Sequence, residues 1–385
     1  MHTKLVISFD KRVLNMLELN NILFFALILG FVIQMAYLWI VFARLAFYKP
    51  KSEFVVNQPV SVVIVAHNDY HHLIKTLDPI LKQDYPQFEV VVVNESSDDE
   101  TYYFLKDQEK IYPHLKLVQI DKQLNFFRGK KFPLSIGIKS AKFDTILLTD
   151  AYCLVSSNNW ISSMQKAFKD KTEIVLGYAP YKLEAGFLNS LIRFDGLITA
   201  MHYLSFALLG LPYRGVGRNL SYSKKMFYQK QGFISHYKMS LGDDDLFINQ
   251  SANKINTKIC IDPDSFTYSL SEESFGQWLM KKKHNLSTTS LYKLKHKILL
   301  IVYPLSLFLF YISIIYLLVL NIWLTVVLIL FAVRLLSFLL IQKRIMLKLK
   351  EQKLLLISPL LELLLFALQA MVMTLNIFNR RNKWN

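Results

Sequence analysis

Two long uncharged runs, one near each end of the chain, most strongly limit the folds open to it. Ile22 to Phe42 is uncharged over 21 residues, and Ile298 to Val333 is uncharged over 36 residues. A helix needs about 20 apolar residues to cross the hydrocarbon core of a bilayer. The first run therefore predicts one membrane span. The second predicts two spans separated near Asn321, the last of which passes Arg334 and ends near Gln342.

The residues after the first run predict its orientation. Arg44, Lys49 and Lys51 follow it directly, and clustered lysine and arginine mark the cytosolic side of a span. A cleaved signal peptide has a shorter apolar core and a small-residue cleavage site. The run therefore indicates an uncleaved anchor whose carboxyl end lies in the cytosol.

A third apolar run, Leu354 to Phe378, is interrupted by Pro359 and Glu362. If the basic loop 343–353 is cytosolic, a full third span places the basic residues of 380–383 on the opposite side, against the positive-inside rule. Two interpretations stay open for this run: a third span, or a re-entrant or interfacial helix.

The net charge of +16 by itself suits nucleic acid, an anionic membrane surface or a phosphorylated substrate. The lysines gather beside apolar segments, as in 281–283, 293–297 and 343–353, which favours a membrane surface over nucleic acid. The two cysteines, Cys153 and Cys260, are too few for a disulfide framework or a structural zinc site. The composition predicts a membrane protein that binds no nucleic acid and faces a reducing compartment.

Between Val60 and Asp262 the pattern changes to short β-branched runs, which predict strands, and longer amphipathic runs, which predict helices. The predicted strands are 60–65, 89–93, 116–120, 145–149 and 173–176, and the predicted helices are 71–82, 101–110, 131–141 and 160–168. Alternation of strands and helices predicts an α/β domain with a mostly parallel sheet.

Polar and acidic residues follow three of these strands, at 66–69, 94–99 and 149–152. The carboxyl ends of parallel strands meet at the edge where α/β sheets bind ligands. Carboxylates there suit the ribose hydroxyls of a nucleotide and a metal ion on its phosphates. Asp150 is the first candidate, and the rival interpretation is that it only caps the helix that begins near Asn158 or Asn159.

The segment Leu183 to Leu211 is apolar enough to resemble another span. Arg193, Asp195 and His202 interrupt it, and three ionisable groups on one lipid-facing helix are costly. The segment predicts a helix along the membrane surface near 187–211, with a buried core helix as the alternative.

Three consecutive aspartates, Asp243, Asp244 and Asp245, follow Gly242. Adjacent carboxylates raise one another's pKa and cost stability by repulsion, so a cluster on a semi-apolar segment predicts a site that handles a cation or a proton. A solvated acidic turn is the alternative.

From about Val60 to Leu291 the chain resembles the membrane-bound inverting glycosyltransferases of family two, whose nucleotide-sugar domain has the GT-A fold. The resemblance rests on seven motifs in the family's order. They are Val-Ile-Val-Ala-His-Asn-Asp at 63–69, Val-Val-Asn-Glu-Ser-Ser-Asp-Asp at 92–99, Arg-Gly-Lys-Lys at 128–131, Leu-Thr-Asp-Ala-Tyr-Cys at 148–153, Gly-Val-Gly-Arg-Asn-Leu at 215–220, Gly-Asp-Asp-Asp-Leu-Phe at 242–247 and Gln-Trp-Leu-Met-Lys-Lys-Lys-His-Asn at 277–285.

The resemblance implies a role for each matching residue. The donor-binding positions are Asn68, Glu95, Lys130 and Asp150. Asp150 also matches the first acid of the family's Asp-x-Asp motif, which implies a divalent metal, Mg²⁺ or Mn²⁺. Asp244, with Asp243 beside it, matches the acidic motif that supplies the general base. The acceptor or diphosphate positions are Arg218, Lys283 and His284.

The chain departs from the family pattern at two places. Tyr152 stands where the metal motif has its second acid, and a neutral phenol is a poor ligand for a hard cation. The family's Gln-x-x-Arg-Trp motif aligns with 281–285, which is Lys-Lys-Lys-His-Asn. Loss of the tryptophan platform argues against a processive synthase and for transfer of one or a few sugars.

These inferences predict three regions: an N-terminal anchor over 1–48, a cytosolic GT-A domain over 49–290, and a membrane region of two to three helices over 291–385. The predicted function is inverting transfer of a sugar from a UDP-linked donor to a lipid-linked or surface-polysaccharide acceptor, in the inner membrane of the cell. The alternative is a catalytically impaired subunit that binds nucleotide sugar or assists assembly, and Tyr152 motivates it.

Overall fold

The computed structural model describes residues 2–50, 57–121, 129–169, 171–237, 239, 241–270 and 274–379, with side chains from residue 18 onward except 373 and 375–379. Arg128 of the predicted donor motif and the basic residues of 380–383 lie outside the described residues. The chain divides into two compact units. The helical unit is Met1–Phe47 with Leu294–Ile345, and the sheet unit is Tyr48–Lys293 with Met346–Asn385.

Thirteen α-helices occur in the described residues. They are α1 His2–Ala36, α2 Ala43–Ala46, α3 Tyr70–Leu81, α4 Thr101–Ile111, α5 Lys131–Ser140, α6 Trp160–Gln165, α7 Phe187–Leu208, α8 Lys224–Gln229, α9 Asp245–Ser251, α10 Phe275–Thr288, α11 Leu294–Val319, α12 Leu324–Lys348 and α13 Ser358–Asn379. A π-helical turn, Tyr37–Phe42, joins α1 to α2.

Nine strands occur in the same residues. They are β1 Val60–Ala66, β2 Phe88–Glu95, β3 Leu115–Ile120, β4 Thr145–Leu148, β5 Cys153–Val155, β6 Ile174–Leu176, β7 Leu220–Ser223, β8 Thr257–Ile259 and β9 Thr267–Ser269.

A seven-stranded sheet organises the sheet unit, in the order β3-β2-β1-β4-β7-β6-β8. The pairs among β3, β2, β1 and β4 are parallel, as is β6 with β8, whereas β7 runs antiparallel to both of its neighbours. Every residue of β1 is buried, because helices cover the sheet and the strand is apolar except for Ser61, whose hydroxyl donates to Glu89. The predicted α/β class with a mostly parallel sheet is confirmed.

Each predicted strand and helix between residues 60 and 176 forms where the apolar pattern placed it, with ends that differ from the prediction by at most three residues. The pattern missed β7, β8 and the two-stranded β5–β9 pair. These strands have three or four residues each. Runs that short carry too little periodicity to be distinguished from loops.

The helical unit contains the helices that are long and apolar enough to cross a membrane. Among the described residues these are Glu18–Ala46, Leu294–Val319 and Leu324–Lys348. The last two are separated at Asn321, which has a positive φ of 54°, as the uncharged run predicted. Inside the unit, Gln34 donates a hydrogen bond to Ser306 Oγ (2.6 Å) and accepts one from Arg334 (3.2 Å).

The third apolar run forms α13, which belongs to the sheet unit and contacts α10 and α7 there. α13 is apolar over Ser358–Val372, and both interpretations of this run, a third span or a re-entrant or interfacial helix, stay predictions. A buried ion pair joins α7 to the turn before α13, because Arg193 donates to the Glu351 carboxylate. The Tyr178 hydroxyl donates to the same carboxylate at 3.0 Å.

More than half of the 22 residues of α7 are buried, Arg193 among them. This burial fits the core-helix alternative for 187–211. Its predicted position on a membrane surface stays a prediction.

Candidate active site

One cleft of the sheet unit, about 230 Å³ in volume, gathers most of the ionisable residues that the sequence singled out. Its acidic lining residues are Asp150, Asp195, Asp243, Asp244 and Asp245, and its basic ones are Lys130, Arg214, Arg218 and Lys281. A cleft with charged groups of both signs suits a ligand that carries negative charge and a reaction that moves a proton.

The strand directions explain why distant segments meet at this cleft. Because β7 is antiparallel to β4, Leu148 at the end of β4 pairs with Leu220 at the start of β7. Leu176 at the end of β6 pairs with Leu220 from the other side. The residues after β4, after β6 and before β7 therefore leave the sheet together, which places Asp150 in the same cleft as Arg218.

Asp150 lies two residues beyond β4 and holds Lys130, the residue just before α5. The distance from Lys130 Nζ to Asp150 Oδ1 is 2.7 Å. Burial acts to raise the pKa of the Asp150 carboxyl, but the Lys130 ammonium outweighs it and lowers that pKa. Asn159 is the N-cap of the helix that follows. Asp150 thus serves the cleft rather than capping that helix.

Tyr152 stands beside this pair. Its ring centroid is 5.7 Å from Lys130 Nζ, a cation–π contact, and the Tyr152 side chain also lowers the pKa of the Asp150 carboxyl. Burial and the Asp150 carboxylate raise the pKa of the Tyr152 phenol well above its usual value. Tyr152 therefore stays a neutral phenol.

The three aspartates at the start of α9 occupy three different environments. Gly242 has a φ of 99°, and a Cβ atom there would lie 2.4 Å from Leu246, so the turn into the cluster requires glycine. Asp245 is buried and accepts hydrogen bonds from the hydroxyls of Thr288 and Tyr292. Asp245 is thus a structural link between α9 and the end of α10.

Asp243 and Asp244 face the cleft. Asp244 Oδ2 accepts the Gly217 backbone N–H at 2.9 Å, and Asp244 Oδ1 accepts the Asp245 N–H at 2.6 Å. Burial, with the neighbouring Asp245, raises the pKa of Asp244. Burial, with the neighbouring Asp244, raises the pKa of Asp243 to about 7. A carboxylate with a raised pKa is the kind of group that accepts a proton near neutral pH.

Two further basic side chains reach the cleft and share one aromatic ring. The Arg218 guanidinium lies 4.6 Å from the centroid of the Tyr181 ring and donates to Ser269 Oγ at 2.7 Å. Lys281 Nζ lies 5.5 Å from the same centroid. On α10, the next residue, Lys282, binds Asp195 of α7, so Lys281 and Lys282 have different tasks.

The structure does not bring every predicted site residue together. Asn68 and Glu95 lie at the carboxyl ends of β1 and β2, outside the described lining of this cleft. Asn68 Oδ1 accepts the Asp98 backbone N–H at 2.7 Å, which fixes that edge of the sheet. Their assignment to a nucleotide pocket stays a prediction.

Lys283 and His284 are also absent from the described lining, whereas Lys281 and Asn285 of the same helix are present. A helix turns by about 100° per residue, so a basic run points in several directions. No separate role was predicted for Lys281, and its place in the aligned motif was the available signal. Arg214 and Tyr181 were missed because no motif pointed to them.

The comparisons with known proteins agree with this geometry. A sequence model described as Glycosyltransferase like family 2 matches residues 57–284, more than half of the chain. The chain belongs to this family. Membership supports a transferase activity.

Related proteins extend the comparison. Over 144 residues the chain is 28% identical to the poly-beta-1,6-N-acetyl-D-glucosamine synthase of Staphylococcus epidermidis. The matched region covers 35% of this chain and 34% of that protein. Over 94 residues it is 34% identical to the probable glycosyltransferase YdaM of Bacillus subtilis, covering 24% and 22%. The chain thus matches about a third or less of the length of these relatives.

A solved structure supports the GT-A fold. The mannosyltransferase PcManGT of Pyrobaculum calidifontis, solved in complex with GDP-Man and Mn²⁺, superposes with a TM-score of 0.58 at 16% identity, over 86% of this chain and 95% of that one. At this identity the likeness concerns the fold alone.

The residues at Asp150 do not fit a divalent cation well. The described residues contain no group of three or more His, Cys, Asp or Glu side chains placed to hold one. Asp150 offers a single carboxylate that is already paired with Lys130, and Tyr152 offers a neutral phenol. Mg²⁺ and Mn²⁺ prefer several oxygen ligands with negative charge. Metal ligation by Asp150 therefore stays a prediction, and the side chains around it argue against it.

Proposed function

We propose that this family two glycosyltransferase transfers a sugar, with inversion, from a UDP-linked donor to a hydroxyl of a lipid-linked or surface-polysaccharide acceptor. The observation that carries the proposal is one cleft lined both by the cations of Lys130 and Arg218 and by the carboxylates of Asp243 and Asp244. The first two suit a diphosphate, and the second two suit the proton of an attacking hydroxyl.

The proposed step uses both the cations and the carboxylates of the cleft. The acceptor oxygen forms a bond to the anomeric carbon as the bond from that carbon to the diphosphate oxygen breaks. The acceptor's proton passes to Asp244, and the bonding electron pair leaves with the diphosphate, whose charge Lys130 and Arg218 offset. Attack opposite the leaving group inverts the anomeric centre.

Asp244 is the proposed base because two backbone N–H groups fix its carboxylate. Asp243, which is next to it, is the second catalytic candidate and tunes the charge of the pair. The acceptor class is supported by the polysaccharide product named for the Staphylococcus epidermidis relative.

An Asp244→Asn variant tests the base. Transfer should fall by two to four orders of magnitude, the usual contribution of a general base, while donor binding measured by calorimetry should stay within a few fold. Asp107→Asn is the matched control, since Asp107 is exposed and pairs with Lys110 on α4. Full transfer activity in Asp244→Asn would remove Asp244 from the mechanism.

We further propose that the three apolar helices span the inner membrane and that residues 49–290 lie in the cytosol. Support comes from the apolar length of these helices and from the basic residues beside them. Cysteine substitutions at exposed Lys110 and Lys142 test it: an impermeant thiol reagent should label them only after cells are permeabilised. Labelling in intact cells would reverse the orientation.

A second candidate function is a donor-binding or assembly subunit without transferase activity, favoured by Tyr152 in place of an acid. Such a protein binds a sugar nucleotide but neither transfers nor hydrolyses it. Product analysis with membrane fractions as acceptor source distinguishes the two functions, because a labelled glycan or glycolipid forms only with the transferase.

A further inference from the structure

A departing nucleoside diphosphate gains negative charge as the bond to the sugar breaks, so its site needs positive charge close by. In a site with two acids that charge comes from a divalent ion. Here Tyr152 replaces the second acid, and the first acid, Asp150, already binds the Lys130 ammonium 2.7 Å away. The cleft therefore contains a cation where a metal site would contain acids alone.

The ammonium of Lys130 is both fixed and accessible. Asp150 and the ring of Tyr152 hold it from two directions, and the Lys130 side chain is still 44% exposed. An ammonium has three N–H donors, so hydrogen bonding to Asp150 leaves donors for a phosphate oxygen. The Asp150 side chain is only 18% exposed, so an incoming ion reaches it less easily than a ligand reaches Lys130.

Arg218 supplies a second cation to the same cleft. Its guanidinium is held by Ser269 and by the Tyr181 ring, and it acts electrostatically on both Asp150 and Tyr152. Two fixed cations beside Asp150 weaken the attraction of that carboxylate for a divalent ion and favour a diphosphate.

We propose, as an inference that rests on the proposed function, that Lys130 takes the place of a divalent metal at the diphosphate. Asp150 and Tyr152 hold Lys130, and Arg218 assists it, so that the chain binds its nucleotide without metal. Tyr152 then has a positive role. Its phenol orients Asp150 and its ring packs against the ammonium, whereas a second carboxylate there would attract a metal ion.

The test is titration of the detergent-solubilised full chain with UDP, and with GDP, ADP and CDP for comparison, in EDTA and in Mn²⁺. The wild-type chain should bind UDP equally in both buffers. Lys130→Met should weaken binding in EDTA by about tenfold to a hundredfold, the value of a lost charge-assisted hydrogen bond. Lys139→Met is the matched control, since Lys139 is an exposed lysine in the last turn of α5, and it should bind as wild type.

Tyr152→Asp is the converse variant and does not depend on whether Lys130→Met folds. A second carboxylate should weaken UDP binding in EDTA, and Mn²⁺ should restore it. Thermal unfolding of each variant confirms that it is folded.

The outcomes separate this inference from the function on which it rests. A wild-type chain that binds UDP only with Mn²⁺, or a folded Lys130→Met that binds as wild type, overturns metal independence and leaves the proposed transferase intact. A wild-type chain that binds none of the four nucleotides in either buffer overturns the proposed donor class and this inference with it.

Discussion

The buried ion pair between Arg193 and Glu351 gives the sharpest stability prediction. Both side chains are only 4% exposed. Arg193 also donates to the backbone oxygen of Gln352 at 2.9 Å, and Tyr178 donates to Glu351. Since Tyr178 lines the candidate active site, the pair connects the turn before α13 to one wall of the cleft.

Replacing Arg193 by Met leaves the Glu351 carboxylate buried with its countercharge gone. Removing one partner of a buried pair costs about 3–5 kcal/mol, because the remaining charge is desolvated and unpaired. For a domain of this size, each kcal/mol lowers the Tm by roughly 2–4 °C, so we expect a fall on the order of 6–20 °C. Tyr178 should shift as well, which should raise the KM for the donor.

The expected loss depends on pH with a definite sign. Burial already raises the pKa of Glu351, and removal of Arg193 raises it further. A carboxyl whose folded pKa lies above its unfolded value destabilises the fold as pH rises through that range. Arg193→Met should therefore lose most stability at pH 8 and recover part of it at pH 5.

Differential scanning fluorimetry of the solubilised full chain measures the effect. Adding Glu351→Gln to Arg193→Met removes the stranded charge and should restore much of the lost Tm, and Lys110→Met at an exposed pair should change nothing measurable. A fall below about 2 °C in Arg193→Met, or no recovery in the double variant, would refute the reasoning.

Three further predictions follow from single residues. Burial and the adjacent carboxylate raise the pKa of Asp243 to about 7, so ionisation of this carboxyl destabilises the fold as pH rises from about 4 to 7. Asp243→Asn should therefore raise the Tm at pH 8 and hardly change it at pH 4. An equal shift of the Tm at both pH values would contradict this reasoning. A Cβ on Gly137 would lie 2.7 Å from Val63 and 2.8 Å from Val93. Gly137→Ala should therefore lower the free energy of unfolding by about 1–3 kcal/mol through overpacking, which a lower Tm would show. An unchanged Tm would show that α5 can shift. Asp245→Asn weakens hydrogen bonds from two buried hydroxyls, and the Tm should fall by an amount that corresponds to about 1–3 kcal/mol, whereas a wild-type Tm would remove its structural role.

The sequence predicted much of the fold because the deciding signals are local. An apolar run of 21 residues is long enough to span wherever it occurs, and the helix Leu294–Val319 is separated from the helix Leu324–Lys348 as the length of the second run required. Alternation of β-branched and amphipathic runs likewise predicted the strands and helices between residues 60 and 176. Conversely, β5, β7, β8 and β9 were missed because strands of three or four residues carry too little periodicity, although β4 and β6, which are as short, were predicted.

The acidic side chains of the candidate site were predicted better from the sequence than its basic side chains. Asp150 and the aspartates at 243–245 could be found because carboxylates at a strand end, or three in a row, are unusual in a soluble core. A basic run such as 281–283 names several lysines but not the one that faces the cleft, since that depends on how α10 packs.

What the sequence by itself determined are the apolar helices, the α/β class and the acids at the strand ends, because each follows from neighbouring residues. Only the tertiary structure decided that Asp150 binds Lys130 rather than capping a helix. It also decided that Arg218 enters the same cleft, through a strand too short to predict. These contacts join residues 20 or more positions apart, and chain topology and strand direction, which no local pattern encodes, bring them together.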